Sequence, residues 1–285
     1  MPATRITALN VYPVKSCRGL SLPAARVATR GLVAESGPDA VWDREWLIID
    51  RDGRFVTQRD NPRLALIHTG AAGGALTLTT AGRPPLRVSL APLQGPTRDV
   101  VVWNSVIPAR DAGDDAAAWL SAVVGGDVRL MRFDAAHHRL CNPEYAGDSG
   151  AHTAFADGYP LLVISEASLA DLNHRLANNG APRLPMNRFR PNIVLAGLEP
   201  YDEDHVDTLT ANGVSIKIVK PCARCQITTT DQDSGHVGIE PLRTLGSYRM
   251  DERFGGVTFG MNAIVVAGEG RSLSVGMDVD ASLAF

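Results

Sequence analysis

Aromatic residues make up only 6% of this 285-residue chain, and cysteine occurs four times. Cys17, Cys141, Cys222 and Cys225 are too few and too scattered for a disulfide framework, which points to a reducing compartment. No run approaches the roughly 20 apolar residues that cross a bilayer. The start, Met1-Pro2-Ala3-Thr4-Arg5, has no apolar signal segment. Neither charge sign dominates: the net charge is −3, with no basic excess or charge block, which argues against a nucleic-acid partner and a charged tail. There is no G-x-G-x-x-G, no phosphate-binding P-loop, no internal repeat and no low-complexity stretch. What is present is ordinary globular composition, 45% apolar and 21% charged. The expectation is a cytoplasmic globular protein that is an enzyme or binds a cofactor, with no membrane segment.

Short β-rich runs separated by glycine, proline and aspartate dominate the first half. Ile6 to Val14 alternates apolar and polar residues, and Trp42–Asp50 with Phe55–Gln58 reads as a hairpin about Asp52-Gly53. Leu64–His68, Ala75–Thr79, Leu86–Leu90 and Val100–Ile107 continue as strands, a spacing that suggests a barrel or sandwich. A helix is expected over Asp114 to Val124, with Asp114 as N-cap and Gly125-Gly126 as stop. Val128–Phe133 reads as a strand. Leu161–Ile164 is a buried strand, followed by a helix capped by Ser165 with Leu169, Leu172 and Leu176 as its core stripe. Val214–Val219, Val257–Val266 and Leu273–Val279 close the chain as strands, with a helical turn over Glu240–Leu245. The fold class is mainly β with a few helices.

Half of the cysteines lie in Lys220-Pro221-Cys222-Ala223-Arg224-Cys225-Gln226-Ile227-Thr228-Thr229-Thr230-Asp231. The β-branched, polar run Gln226–Thr230 reads as a strand, which disfavours a thioredoxin-type redox motif at a helix start. Structural zinc needs a second ligand pair, and Cys17 and Cys141 stand alone. Arg224 and Lys220 supply positive charge that favours thiolate, the form that attacks or binds metal. Two further stretches suit an anion. Lys15-Ser16-Cys17-Arg18-Gly19 ends a strand, and Arg188 and Arg190 precede the buried strand at Ile193, where guanidinium groups capture phosphate bidentately. His137 and His138 could bind metal, although adjacent residues diverge on any regular element.

Tyr12-Pro13-Val14-Lys15-Ser16-Cys17, Asp43-Arg44, Ile164-Ser165-Glu166-Ala167-Ser168-Leu169, Phe189-Arg190-Pro191-Asn192-Ile193 and Cys222-Ala223-Arg224-Cys225 occur in this order along the chain. This set resembles the MOSC-domain proteins, named for the C-terminal domain of molybdenum cofactor sulfurase. Within them it is similar to the group of the mitochondrial amidoxime-reducing component and its bacterial YcbX-like relatives. The resemblance implies an N-terminal MOSC β-barrel domain over 1–125 and a C-terminal MOSC β-barrel domain over 126–285 that carries the Cys225 loop. It implies molybdenum cofactor (molybdopterin) bound by Lys15, Ser16, Arg44, Arg190, Asn192, Ala223, Arg224, Cys225 and Asn262. Cys225 is then the metal ligand and Cys222 is not. Soft thiolate suits such a centre, and the cations suit the phosphate at the end of molybdopterin.

The chemistry implied is reduction of N-hydroxylated compounds such as hydroxylamines, amidoximes and N-hydroxylated bases, with Asp231 delivering protons. Three departures from the family are expected. Ala223 stands where relatives often have serine, the chain lacks the mitochondrial proteins' N-terminal anchor, and it has no cysteines for an iron–sulfur domain. A separate reductase or ferredoxin would then donate electrons. The alternative from another class is a carrier of sulfur or maturing cofactor on Cys225, as persulfide or thiolate.

Overall fold

β-Branched runs cut by short turns fold here into sheets whose pairing delivers the cysteine stretch to one place. The computed structural model describes residues 3–36 and 39–283; Met1-Pro2 and the chain end at Ala284-Phe285 lie outside them. The largest sheet has nine strands, ordered Leu20–Leu22, Arg5–Val11, Ile193–Ala196, Leu161–Ser165, Gly256–Ala267, Val214–Ala223, Val206–Ala211 and Asp280–Leu283, with Met250–Asp251 pairing alongside Gly256–Ala267. Leu161–Ser165 and Ile193–Ala196 run parallel. A parallel pair needs a crossover, and the helix Glu166–Asn178 supplies it. Ser165 caps that helix as the sequence predicts, its hydroxyl accepting from the Ser168 amide at 3.0 Å. Leu172 and Leu176 are buried in one cluster with Ile164, Phe189 and Phe259, so this helix seats the Arg190 stretch against the sheet.

A second sheet orders Thr97–Val102, Ser105–Asp111, Val128–Phe133 and Trp46–Asp50. Two smaller sheets are built from Ser272–Ser274, Ala24–Ala28, Gly31–Ser36 and Asp39–Trp42, and from His68–Ala72, Ala75–Thr79 and Leu86–Ser89. Pairing crosses residue 125 in both directions. Arg5–Val11 pairs with Ile193–Ala196, and Val128–Phe133 pairs with Trp46–Asp50. One apolar cluster accordingly joins Ile6, Leu9, Val27 and Leu120 with Val163, Ile193 and Val265.

Local chemistry overrides several sequence expectations. The helix Asp114–Val124 has the expected bounds, but Gly113, at φ 97°, is its N-cap; Asp114 lies in the first turn and pairs with Arg129 at 2.8 Å. Leu64–His68 is not a strand: Asn61 caps and Pro62 opens a 3-10 turn, Pro62–Leu66. Val100–Ile107 is two strands folded about Trp103-Asn104, with Trp103 at φ 56°. The turn at Asp52-Gly53 exists and Ile49 bridges Phe55, yet no second strand follows through Gln58. Of Leu273–Val279 only Ser272–Ser274 is a strand.

A cationic cavity at the cysteine loop as the candidate functional site

The strands Val214–Ala223 and Gly256–Ala267 carry the site, and their ladder is irregular where the cysteines begin. Its register shifts between Ile218 and Lys220 and again between Pro221 and Ala223. Such bulges bend a strand and re-aim its side chains. Facing them, Gly260 adopts φ 75°, and a Cβ there would lie 2.5 Å from Ile164 Cγ1. Only glycine fits that close approach. Pairing ends at Ala223 with Thr258, beyond which the chain leaves the sheet.

The expected strand Gln226–Thr230 is instead a 3-10 turn over Gln226–Thr229. Two hydroxyls explain it: Thr228 Oγ1 donates to the Cys225 carbonyl at 3.0 Å and Thr229 Oγ1 to that of Gln226 at 2.8 Å. Threonine satisfies the turn's carbonyls locally and so competes with a ladder. Arg188 fastens the turn from below, donating to the Thr229 carbonyl at 3.0 Å and to Asp231 Oδ2 at 2.9 Å. Asp231 Oδ1 also accepts from the amide and the hydroxyl of Ser234, both at 2.8 Å. The Ser234 hydroxyl, with backbone amides and Arg188, pulls the Asp231 carboxyl down to about 2. Asp231 does not line the cavity described next; its oxygens serve Arg188 and its own turn. The sequence expectation gives Asp231 proton delivery; the structure places its carboxylate in the turn, bonded to Arg188 and Ser234.

Beside the loop lies a cavity of about 300 Å³. Lys15, Ser16, Arg44, Arg190, Asn192, Ala223, Arg224, Cys225 and Asn262 all line it, together with Asp157, Arg59, Lys220 and Cys222. Three of these residues have left-handed backbones: Ser16 at φ 68°, Arg44 at φ 47° and Arg190 at φ 57°. Such conformations cost about 1–3 kcal/mol each and cluster at functional sites.

Tyr12 organises the buried end. Its ring lies between the Arg44 and Arg190 guanidinium groups, 4.4 and 4.3 Å from their Cζ atoms, and its hydroxyl donates to the Pro191 carbonyl at 3.1 Å. Burial raises the phenol to about 12, so the ring stays neutral. Arg44 donates to Asp43 and, at 3.0 Å, to Asn192 Oδ1. Asn192 Oδ1 also accepts from the Leu162 amide, while its Nδ2 donates to the Asn10 carbonyl and Asp43. All four hydrogen bonds of that amide group are thereby used. Asn192 positions Arg44 and has no polar capacity left for a ligand.

Arg190 is different. It is only 7% exposed, and its Nη2 has no hydrogen-bond partner among the described residues. Burial, aided by the charge of Arg44, lowers its pKa to about 10. Lys15 Nζ, equally buried, donates to the Phe155 carbonyl at 2.8 Å and to Asp157 Oδ1 at 2.6 Å. Burial lowers the Lys15 pKa and Asp157 opposes the shift. The Asp157 side chain is 68% exposed and also accepts from Trp103 Nε1 at 2.9 Å. The charge of Lys15 and these hydrogen bonds hold its carboxyl below the usual range. Sequence reasoning missed both Tyr12 as a spacer and Asp157. An Asp-Gly pair just ahead of the buried strand at Leu161 was the available signal for the latter.

Arg224 does not sit against the expected thiol. Its Nη1 contacts Cys222 Sγ at 3.0 Å, its Nη2 donates to the Phe189 carbonyl at 2.6 Å, and its Nε has no partner among the described residues. Asn262 Nδ2 donates to the Pro221 carbonyl at 3.4 Å and so ties down the bulge. The histidine rings are used in packing, His137 with Phe133 and His138 with His152. No cluster of three His, Cys, Asp or Glu residues suited to a metal occurs among the described residues. A phosphate-bearing group does fit: Arg44, Arg190 and Arg224 line a cavity that is also lined by the half-buried thiol Cys225.

The MOSC N-terminal beta barrel domain matches residues 3–127 and the MOSC domain matches residues 150–280. The chain belongs to the MOSC family, with the mainly β architecture expected of it. It is 39% identical to mitochondrial amidoxime-reducing component 1 of Homo sapiens over 253 residues, covering 86% of this chain and 72% of that protein. Mitochondrial amidoxime reducing component 2 of Bos taurus is 37% identical over 250 residues, with the same coverage of each. A molybdenum cofactor sulfurase of Oryza sativa subsp. japonica is 33% identical over 301 residues, which is 96% of this chain and 35% of that protein. These relationships support a molybdenum-cofactor-related function. No helix among the described residues is long and apolar enough to cross a membrane.

Proposed function

We propose that the protein is a molybdenum-cofactor-dependent reductase of N-hydroxylated compounds, with Cys225 as its ligand to the metal. One observation carries this reading. Nine residues from distant stretches of the chain line a single cavity that holds both a thiol and cations without carboxylate partners. Arg190, with Arg44 and Ser16, would take the cofactor's phosphate, since Arg190 is the buried cation left without an acceptor. Lys15 stays bound to Asp157 and contributes charge more than a free donor. Asn192 and Tyr12 hold the two arginines apart, Arg188 holds the Cys225 turn, and Asn262 holds the strand leading into it. The methyl of Ala223 lines the cavity without offering a side-chain hydrogen bond. When bound, the cofactor would supply the two-electron reduction and accept the substrate oxygen.

The same proposal divides the chain into an N-terminal barrel over 1–125 and the Cys225-bearing domain over 126–285, the two exchanging strands. It includes a separate electron-donor protein, a reductase or ferredoxin, because four scattered cysteines do not provide for an iron–sulfur cluster. A cytoplasmic location belongs to it as well. The test is turnover. Protein from a host that makes the cofactor, given a chemical electron donor and benzamidoxime, should form benzamidine over many cycles, and Cys225→Ala should not. The match to a cofactor sulfurase over 96% of the chain favours one rival, a carrier of sulfur or cofactor on Cys225. A carrier would release at most one equivalent of sulfide under thiol reduction and show no catalytic benzamidine formation.

A further inference from the structure

The cavity is more cationic than a phosphate-bearing cofactor requires. Lys15, Arg44, Arg59, Arg190, Lys220 and Arg224 line it against one carboxylate, Asp157. Lys15 is paired with Asp157 and Arg44 with Asp43, which leaves four cations without a carboxylate among the described residues. A phosphate monoester carries about −1.5 to −2 at neutral pH, so positive charge remains after one has bound. Arg190 is buried, and Arg224 is engaged with Cys222 and Phe189. The surplus therefore rests on Arg59 and Lys220, both half-buried.

These two are held in the same manner from unrelated stretches of chain. Arg59 Cζ lies 4.6 Å from the Trp103 ring and 5.9 Å from that of Phe55. Lys220 Nζ lies 4.6 Å from the Tyr145 ring and 5.3 Å from that of Phe254. An aromatic face holds a cation in place without cancelling its charge, which a carboxylate would do. Trp103 is 47% exposed, so the Arg59 seat is reached from solvent.

We propose that Arg59 and Lys220 make this cavity selective for anionic substrates, N-hydroxylated compounds that carry a carboxylate or similar group away from the N–O bond. The proposal rests on the reductase reading above. A unit charge about 10 Å from the substrate's own charge, in a half-solvated site, changes its transition-state affinity roughly three- to fivefold.

The test compares three benzamidoximes bearing 4-carboxylate, hydrogen or 4-trimethylammonium, reduced by the holoenzyme with a chemical donor. The expected order of kcat/KM is carboxylate, then hydrogen, then trimethylammonium, with the spread narrowing as salt is raised. Arg59→Gln and Lys220→Gln should each lower the carboxylate-to-trimethylammonium ratio roughly nine- to twenty-five-fold, because the two substrates differ by two charges. A ratio near one in the unaltered protein, or one unchanged in both variants, would overturn the proposal. A second readout needs no turnover. In cofactor-free protein, with Trp103→Phe subtracted as background, the iodide-to-caesium quenching ratio of Trp103 should exceed that of free N-acetyltryptophanamide, and Arg59→Gln should lower it toward that value. Reduction of none of the three compounds would sink the reductase reading. The quenching comparison would then still decide the charge claim, a ratio no higher than that of the free indole contradicting it.

Discussion

Replacing Arg190 with methionine should stabilise the cofactor-free protein while removing its response to phosphate. Arg190 is 7% exposed, has an unpartnered Nη2, and faces the charge of Arg44 across Tyr12. Its pKa falls from 12.5 to about 10, chiefly through burial. At about 1.4 kcal/mol per unit, the folded protein disfavours this charge by about 3 kcal/mol. The cation–π contact with Tyr12 returns about 1–2 kcal/mol of that. Methionine keeps most of the stem's packing and bears the same left-handed backbone at φ 57° that arginine does. The expected net change is a gain of about 1–2 kcal/mol, read by urea denaturation in low-salt buffer. Adding phosphate should stabilise the unaltered protein by mass action and the variant much less. A variant destabilised by more than about 1 kcal/mol, or an equal phosphate response in both proteins, would refute the reasoning.

Three further expectations follow from the same geometry. Gly260→Ala should cost about 3 kcal/mol or more by thermal denaturation, since its Cβ would meet Ile164 Cγ1 at 2.5 Å and Val163 O at 2.9 Å with φ at 75°; a neutral effect would mean the strand relaxes freely. Asp231 binds its proton more weakly folded, at about 2, than unfolded, at 3.8, so its contribution is complete above about pH 4 and fades as pH falls toward 2. Asp231→Asn should therefore remove about 1–2 kcal/mol at neutral pH and flatten the acid limb of the stability curve, and an unchanged limb would count against the Arg188–Asp231–Ser234 network. Cys222→Ser should leave stability within about 1 kcal/mol, because a hydroxyl accepts from Arg224 Nη1 as the sulfur does; loss of folding would assign Cys222 a larger role.

Periodic segments were legible in the sequence because burial alone fixes them. Val128–Phe133 and the helices Asp114–Val124 and Glu166–Asn178 follow their apolar patterns. The turn at Gln226–Thr229 was hidden because side-chain hydroxyls, not β propensity, decide it. Ser16, Arg44 and Arg190 carry no outward sign of a left-handed backbone, since none is glycine. The motifs named fewer than half of the residues lining the cavity, and their chemistry depends on partners distant in sequence. Asn192 proved to be spent on Arg44, Leu162, Asn10 and Asp43. Lys15 proved to be paired with Asp157, and Arg224 to rest on Cys222. Arg59 and Lys220 owe their character to rings that approach them only in the folded chain.

The most direct test of a Cys225-ligated molybdenum cofactor is elemental analysis for molybdenum and zinc, with the pterin assayed by fluorescence. Protein from a cofactor-producing host should contain close to one molybdenum per chain, retained in Cys222→Ser and lost in Cys225→Ala. Zinc in place of molybdenum, or equal molybdenum in the unaltered protein and Cys225→Ala, would contradict it.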